Sequence, residues 1–559
     1  MEQLDYIIFI AYGALILSIG LYVSRSKKGI QKSAEEYFLA GKALPWWAIG
    51  ASLIAANISA EQFIGMTGSG FAIGLAIASY EWMGGVTLLI VGKYFLPIFI
   101  EKKIYTIPEF VEKRFSSNLK TILAVFWIAL FIFVNLTSVL YLGARALDTI
   151  IGTGDGSLMI TSIIGLALFA AAYSIWGGLS AVAWTDVIQV ILLVVGGLIT
   201  TIIALNAMTP NGGIFEGLRY VYEVVPQKFS MILSKGEIIT PNGNDAWWDL
   251  PGLGVLLGGM WVANLYYFGF NQYIIQRTLA AKSLRESQKG MALAGFLKLL
   301  IPFIVVVPGI VAFAMNTGVD GQLDLALLDA GFISETGNIV NDNAAPWLIN
   351  TFVPTGLKGL VLAALAAAIV SSLASMLNST STIFTMDIYR AFINKEATEK
   401  QTVNTGRITA LIALIIAVLI APQLGNLGQA FQFIQEYTGV VSPGILAVFL
   451  AGLFFRKATN NGAIWGILLS IPIAMYFKVA PNEWSDSILF INIPFMQQMM
   501  ITCLLSLSII LGVSYLENGG KFDEKGIVLS KDVFKTDPVF NISAIIILLI
   551  CTGLYVIFW

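Results

Sequence analysis

The chain has 559 residues, of which 57% are hydrophobic and only 12% charged, with a formal net charge of −2. Soluble domains carry about a quarter charged residues, so this composition places the chain in a lipid bilayer, and the lack of a basic block argues against a nucleic-acid partner. There are no histidines, no G-x-x-x-x-G-K-[ST] loop, and two cysteines (Cys503 and Cys551) inside apolar runs, which excludes histidine zinc motifs, Ser-His-Asp triads, a P-loop ATPase and a disulfide framework; no enzyme is expected.

Apolar runs long enough to cross a bilayer recur about fourteen times. The first, 6–24, follows Glu2 and Asp5 and precedes Arg25, Lys27 and Lys28. A signal peptide has the opposite charge order, so a retained helix with its N-terminus outside is expected. The second run, 45–72, is interrupted at mid-depth by Ala55-Ala56-Asn57-Ile58-Ser59-Ala60-Glu61-Gln62. Backbone polar groups in hydrocarbon need partners, so such a break survives only beside protein or a watery cavity. Discontinuous helices of this kind hold the substrate and ion sites of secondary transporters.

The third run, 76–100, carries Glu81 within Ser79-Tyr80-Glu81-Trp82. It is either an interfacial residue in an aromatic belt or the partner of Lys298, which lies inside the eighth run, 290–316. Runs 120–148 and 157–176 follow. The sixth, 183–208, begins near Asp186, expected as an N-cap at its inner end. The seventh, 252–270, holds a second polar stretch, Asn264-Leu265-Tyr266-Tyr267-Phe268-Gly269. In the ninth, 356–386, the i, i+3, i+4 spacing of Ala368, Ser371 and Ser372 puts one carbonyl and two hydroxyls on one face. Facing the break of the second run, they make a cage of neutral oxygens for a hard monovalent cation; serines bonded back to their own helix are the plainer reading. The eleventh run, 427–455, carries Phe431, Gln432, Gln435 and Glu436, of which neighbours cannot all face one cavity. Runs 405–422, 461–480, 494–515 and 540–558 complete the set.

Inner connections hold Lys32, Lys42, Lys102, Lys103, Lys113, Arg114, Lys120, Arg277, Lys282, Arg285 and Arg390, among others, while outer ones are rich in Asp245, Asp249, Asp320, Asp324 and Asp342. This is the positive-inside pattern with both termini outside. Long outer loops, 209–251 and 317–350, recur after the sixth and eighth runs. The expected division is a leading helix and loop (1–44), a five-helix set (45–208), an outer loop (209–251), a second, inverted five-helix set (252–455) and three trailing helices (456–559). Asn, Gln, Glu and Lys among aromatic faces suit a neutral polyhydroxylated ligand, whose hydroxyls donate and accept while its C–H face stacks on a ring.

These residues resemble the sodium/solute symporter family along nearly the whole chain. The resemblance is carried by Ala55-Ala56-Asn57-Ile58-Ser59-Ala60-Glu61-Gln62-Phe63-Ile64-Gly65-Met66, Ile77-Ala78-Ser79-Tyr80-Glu81-Trp82-Met83 and Trp176-Gly177-Gly178-Leu179-Ser180-Ala181. It continues in Trp184-Thr185-Asp186-Val187-Ile188-Gln189, Asn264-Leu265-Tyr266-Tyr267, Ala368-Ile369-Val370-Ser371-Ser372 and Phe431-Gln432-Phe433-Ile434-Gln435. It implies an all-α polytopic fold of the LeuT type, with a five-plus-five inverted repeat and flanking helices, working by alternating access. It further implies sodium ligation by the carbonyls of Ala55, Ile58 and Ala368 and the hydroxyls of Ser371 and Ser372. Sugar contacts are implied for Asn57, Gln62, Glu81, Asn264, Lys298 and Gln435, an inner gate for Tyr267, and an outer lid for Met66, Tyr80 and Phe431. Gly84 and Phe268 depart from the galactose-carrying pattern, which has Ser and Trp there.

The expectation is sodium-driven uptake of a neutral hexose, galactose or glucose, across the plasma (inner) membrane. Na+ is the coupling ion, there is no other cofactor, and Asp186 is a candidate for supporting a second ion. A symporter of the same fold for an anionic sugar or amino acid is the alternative, and a sensor or passive channel the reading from another class.

Overall fold

The computed structural model describes residues 2–24, 33–104, 106–152, 154, 156–210, 212–318, 321–334, 337–424, 430–483 and 490–559. Arg25, Lys27, Lys28, Lys32 and Asp320 lie outside the described residues, as do the side chains of Trp176, Gln432 and Phe433. Among the described residues, β-type pairing is limited to isolated bridges such as Leu44 with Ala281, and the regular structure is otherwise helical.

Among the described residues, eleven helices are each long and apolar enough to cross a bilayer, and Ala246–Leu257 with Gly259–Phe270, bent by 76°, forms a further, broken crossing. The other two expected runs take different forms. Residues 45–72 are cut in two, and the fifth run is the shorter helix Met159–Ala172. That helix does not end before the sixth run, as expected, but continues through a kink as far as Asn206. The kink is at Gly178, whose φ of 66° and ψ of −161° no other residue adopts comfortably, and a Cβ there would stand 2.3 Å from Tyr37 O. Asp186 therefore lies inside a continuing helix and is not an N-cap.

The ninth span, Leu357–Ile393, is the axis of the bundle, with 94% of its apolar window buried. Its Ala363-Ala364-Leu365-Ala366-Ala367-Ala368 run lets neighbouring backbones approach closely. The first and last spans, by contrast, are only 17% and 22% buried and face outward. Helix Trp46–Asn57 packs on the eighth span, and Gly259–Phe270 packs on the third. This exchange of partners is what a five-plus-five inverted repeat produces.

Each of these two helices is followed by a break. Trp46–Asn57 stops at Ile58 (φ −82°, ψ 104°), and the chain resumes as a π-helical turn, Glu61–Met66, then Thr67–Ala72. In the second set the polar stretch Asn264 to Gly269 lies within an intact helix, contrary to expectation. The breaks sit on either side of it, at Gly258 and at Asn271 (φ −84°, ψ 120°), beyond which Gln272–Leu279 forms a short inner helix. The two long loops interlock through Asn242, whose amide donates to Ile339 O (2.9 Å) and accepts from Ile339 N (2.8 Å).

Candidate ion and solute site

The break in the second span frees main-chain oxygens because its own side chains take the amide hydrogens. In a continued helix Ser59 N–H would donate to Ala55 O; it donates instead to Gln62 Oε1 at 3.0 Å. Glu61 N–H, due at Asn57 O, donates to Ser59 Oγ at 3.1 Å. Carbonyls at this helix end are thus released from the ladder inside a buried segment, where an acceptor without a donor is costly.

The ninth span crosses at this point. Ser372 Oγ donates to Ala56 O at 3.2 Å, between the expected ligands Ala55 and Ile58, and Ser371 and Ser372 are both fully buried. Ser371 Oγ donates to Asp186 Oδ1 at 2.6 Å. Each hydroxyl proton is engaged by an acceptor, which leaves the oxygen lone pairs for a cation. With Ala368 also buried on this face, the donor set is neutral oxygen throughout, the chemistry that suits a hard alkali ion.

Beside this set is an ion pair that the charge pattern concealed. Arg277, counted as an inner-loop charge, is completely buried on the short helix Gln272–Leu279. Its Nη2 lies 3.3 Å from Asp186 Oδ2, and its Nε donates to Ser52 Oγ at 2.7 Å and Ser52 O at 3.0 Å. Ser52 Oγ donates in turn to Asp186 Oδ2 at 2.5 Å, and Arg277 also reaches Ser375 and Tyr273 O. One network therefore ties the two halves of the molecule together around the serine pair. Two bare charges at this depth persist only when paired and hydrogen-bonded like this.

Adjacent is a polar cavity of about 50 Å³. All six residues expected to touch a sugar (Asn57, Gln62, Glu81, Asn264, Lys298 and Gln435) line it. Lys298 Nζ donates to Glu81 Oε2 at 2.6 Å with both side chains buried, so Glu81 is not interfacial. Gln435 faces the cavity while its neighbour Glu436 pairs with Lys478. Asn57 Nδ2 donates to Tyr267 Oη at 3.1 Å, and Tyr273 Oη donates to the same oxygen at 2.7 Å. Tyr80 and Phe431 meet edge to face, 5.0 Å between centroids, and line the cavity; Met66 is buried in the π-helical turn outside its wall.

Asn57 Oδ1, Asn264 Nδ2, Asn135 Oδ1 and Glu61 Oε1 are buried with no protein partner, and Tyr266, beside Trp127, lines the same cavity. Orphaned polar atoms converging on one cavity mark a site built for a polar ligand. Asn135 and Tyr266 were not assigned from sequence; a lone Asn within Phe133-Val134-Asn135-Leu136 was the available signal. The two departures from the galactose pattern touch each other. A Cβ on Gly84 would stand 3.1 Å from the Phe268 ring and 3.4 Å from Asn264 Oδ1, so the ring occupies the space that a residue-84 side chain would claim.

The model of the sodium:solute symporter family matches residues 37–470. The chain is 58% identical to a sodium/glucose cotransporter of Vibrio parahaemolyticus, over 100% of this chain and 99% of that protein. It is 33% identical to the human sodium/myo-inositol cotransporter 2, over 85% of this chain and 70% of that one. Among solved structures, a Na+-coupled sialic acid symporter in a substrate-bound outward-open state superposes with a TM-score of 0.74 at 24% identity, covering 92% and 98% of the two chains. The fold with its two broken helices and the family match over most of the sequence lead to one conclusion: the chain belongs to the sodium:solute symporter family.

Proposed function

We propose that the protein carries one neutral hexose, glucose or galactose, into the cell together with sodium. The observation that carries this reading is the charge balance of the cavity. Its ionisable lining residues are Glu61, Glu81 and Lys298 (with tyrosines), and Lys298 is already neutralised by Glu81 at 2.6 Å. Among the described residues no cationic group is left over for a carboxylate, which disfavours an anionic sugar or an amino acid. The 58% identical relative is named for glucose, which supports the same class.

Sodium is held by the carbonyls of Ala55, Ile58 and Ala368 and the hydroxyls of Ser371 and Ser372, joining the broken second span to the ninth. Glu81, Lys298, Asn57, Gln62, Asn264 and Gln435 bind the sugar hydroxyls, Tyr267 closes the inner side, and Tyr80 and Phe431 with Met66 close the outer. A cavity of about 50 Å³ is smaller than the roughly 150 Å³ that holds a benzene ring, so sugar enters and leaves only as these gates move. Residues 45–208 and 252–455 are the two halves that rock, flanked by 1–44 and 456–559, in the plasma membrane with both termini outside. One charge moving through about 100 mV yields roughly 2.3 kcal/mol. A tenfold sodium gradient adds about 1.4 kcal/mol, enough together for several hundred-fold accumulation.

The test is uptake into proteoliposomes, under an imposed sodium gradient, of glucose, galactose, myo-inositol, sialic acid and a neutral amino acid. Sodium-dependent accumulation of a hexose with no uptake of sialic acid is expected. Accumulation of the acid or the amino acid in preference to hexoses would overturn the reading.

A further inference from the structure

A second cavity lies at the end of the molecule that carries loop 209–251, behind the wall of the solute site formed by Glu81 and Lys298. It is an open groove of about 270 Å³, and its walls include Trp82 of the third span, Phe303 and Val307 of the eighth, Phe558 at the end of the last and Phe229 of the loop. An apolar cavity of about 150 Å³ stays dry and takes up benzene, so this larger one suits a length of hydrocarbon.

Helix Ile214–Val224 lies along its rim, where Leu218 and Tyr222 contribute to the wall. Phe215 on the same helix also borders the cavity yet is 87% exposed, and Ile214 and Tyr220 are exposed as well. Large apolar residues left outward beside Glu216, Arg219 and Glu223 are the mark of a helix that rests in the headgroup boundary of a bilayer. Arg219 is the one charged residue in the wall. Its Nε donates to Glu223 at 2.8 Å, and its side chain is 81% exposed, so the terminal amino groups are accessible at the mouth of an otherwise apolar cavity. A guanidinium beside a hydrocarbon slot complements a phosphate diester attached to an acyl chain.

We propose that this groove binds a glycerophospholipid of the leaflet facing loop 209–251, with an acyl chain between Phe229, Phe303, Val307 and Phe558 and the phosphate on Arg219. The chain then packs against the back of the solute site. Trp82 Nε1 donates to Leu299 O at 3.3 Å, and Trp82 and Leu299 directly follow Glu81 and Lys298 in the sequence.

The full chain in nanodiscs of phosphatidylethanolamine and phosphatidylglycerol, with a trace of phosphatidylglycerol bearing an acyl-chain diazirine, provides the test. After photolysis, adducts in 214–229 and 303–307 should exceed those on the exposed Leu411, Ile412 and Ile415 of the tenth span by about fivefold. Leu218→Trp, which fills the groove, and Arg219→Glu, which repels the phosphate, should each lower the groove adducts by about threefold. Unchanged tenth-span labelling shows that both variants are folded. Even labelling of all bilayer-facing helices overturns the proposal, as does groove labelling that Arg219→Glu leaves untouched, since the occupant is then any hydrophobe. Uptake is not read, so neither result bears on the symport reading.

Discussion

Ser371 and Asp186 are joined by a hydrogen bond of 2.6 Å in which the serine hydroxyl donates to a fully buried carboxylate on the other half of the molecule. Its neighbour Ser372 donates to Ala56 O. These bonds orient both serine oxygens, and the cost of burying Asp186 is offset by Arg277 and Ser52.

Removing either hydroxyl should therefore weaken sodium and spare the sugar. Each ligand lost corresponds to about 1–1.5 kcal/mol, a rise of roughly tenfold in the sodium concentration for half-maximal uptake in Ser371→Ala or Ser372→Ala. Sugar affinity at saturating sodium should stay within about twofold. Unaltered sodium dependence in both variants would remove these serines from the ion site.

Arg277→Met leaves the Asp186 carboxylate buried and without its counter-charge. Breaking one side of such a pair costs about 3–5 kcal/mol, whereas replacing both partners by apolar groups is often close to neutral. Thermal unfolding in detergent should show a large drop for Arg277→Met and substantial recovery in Asp186→Leu/Arg277→Met. Additive losses in the double variant would show that the two residues act independently.

The break in the second span is legible in sequence because its polar residues are the ones that take over the backbone hydrogen bonds: Ser59 and Gln62 both unwind the helix and mark it. In the seventh span the polar residues mark the face that looks into the cavity, and the helix ends later, at Asn271. Polarity reports what a residue sees and only sometimes where a helix stops. Glu81 and Lys298 are legible as a pair because two opposite charges at depth need each other. Arg277 is not, since a basic residue just beyond an apolar run looks like any inner-loop charge until the short helix Gln272–Leu279 folds back against Trp46–Asn57 and the ninth span. Gly178 is similar: a Trp-Gly-Gly stretch suggests a loop, yet the helix passes through it because the glycine fits against Tyr37 O.

Glu81→Gln keeps the shape of the side chain but leaves the Lys298 ammonium without its carboxylate. If this pair at the cavity wall holds the sugar as proposed, sugar binding should weaken by about tenfold or more, with sodium half-saturation moving less than about twofold. Tracer binding against sodium titration separates the two. Equal losses in both would assign the pair to holding the third and eighth spans together rather than to sugar.

Lys228 predicts a pH dependence of stability. It is buried in loop 209–251, its Nζ donating to Ala72 O at 2.6 Å and Phe71 O at 3.1 Å, where the helix Thr67–Ala72 ends just before Gly74. A side chain on Gly74 would run into Lys228 O, so the clasp is tight on both sides. Burial pushes the Lys228 amine down to about 7 from an ordinary value of 10.5. Between these values the unfolded chain holds a proton that the folded one does not, so stability rises as pH rises from about 7 toward 10 and is lost as pH falls back through 7. The neutral amine still has two N–H groups for the two carbonyls, so the bonds survive deprotonation. The thermal unfolding midpoint of the parent should increase from pH 7 to pH 9, with Lys228→Met lower throughout and flatter over that interval. A variant whose midpoint climbs with pH as steeply as the parent's would place the titrating group elsewhere.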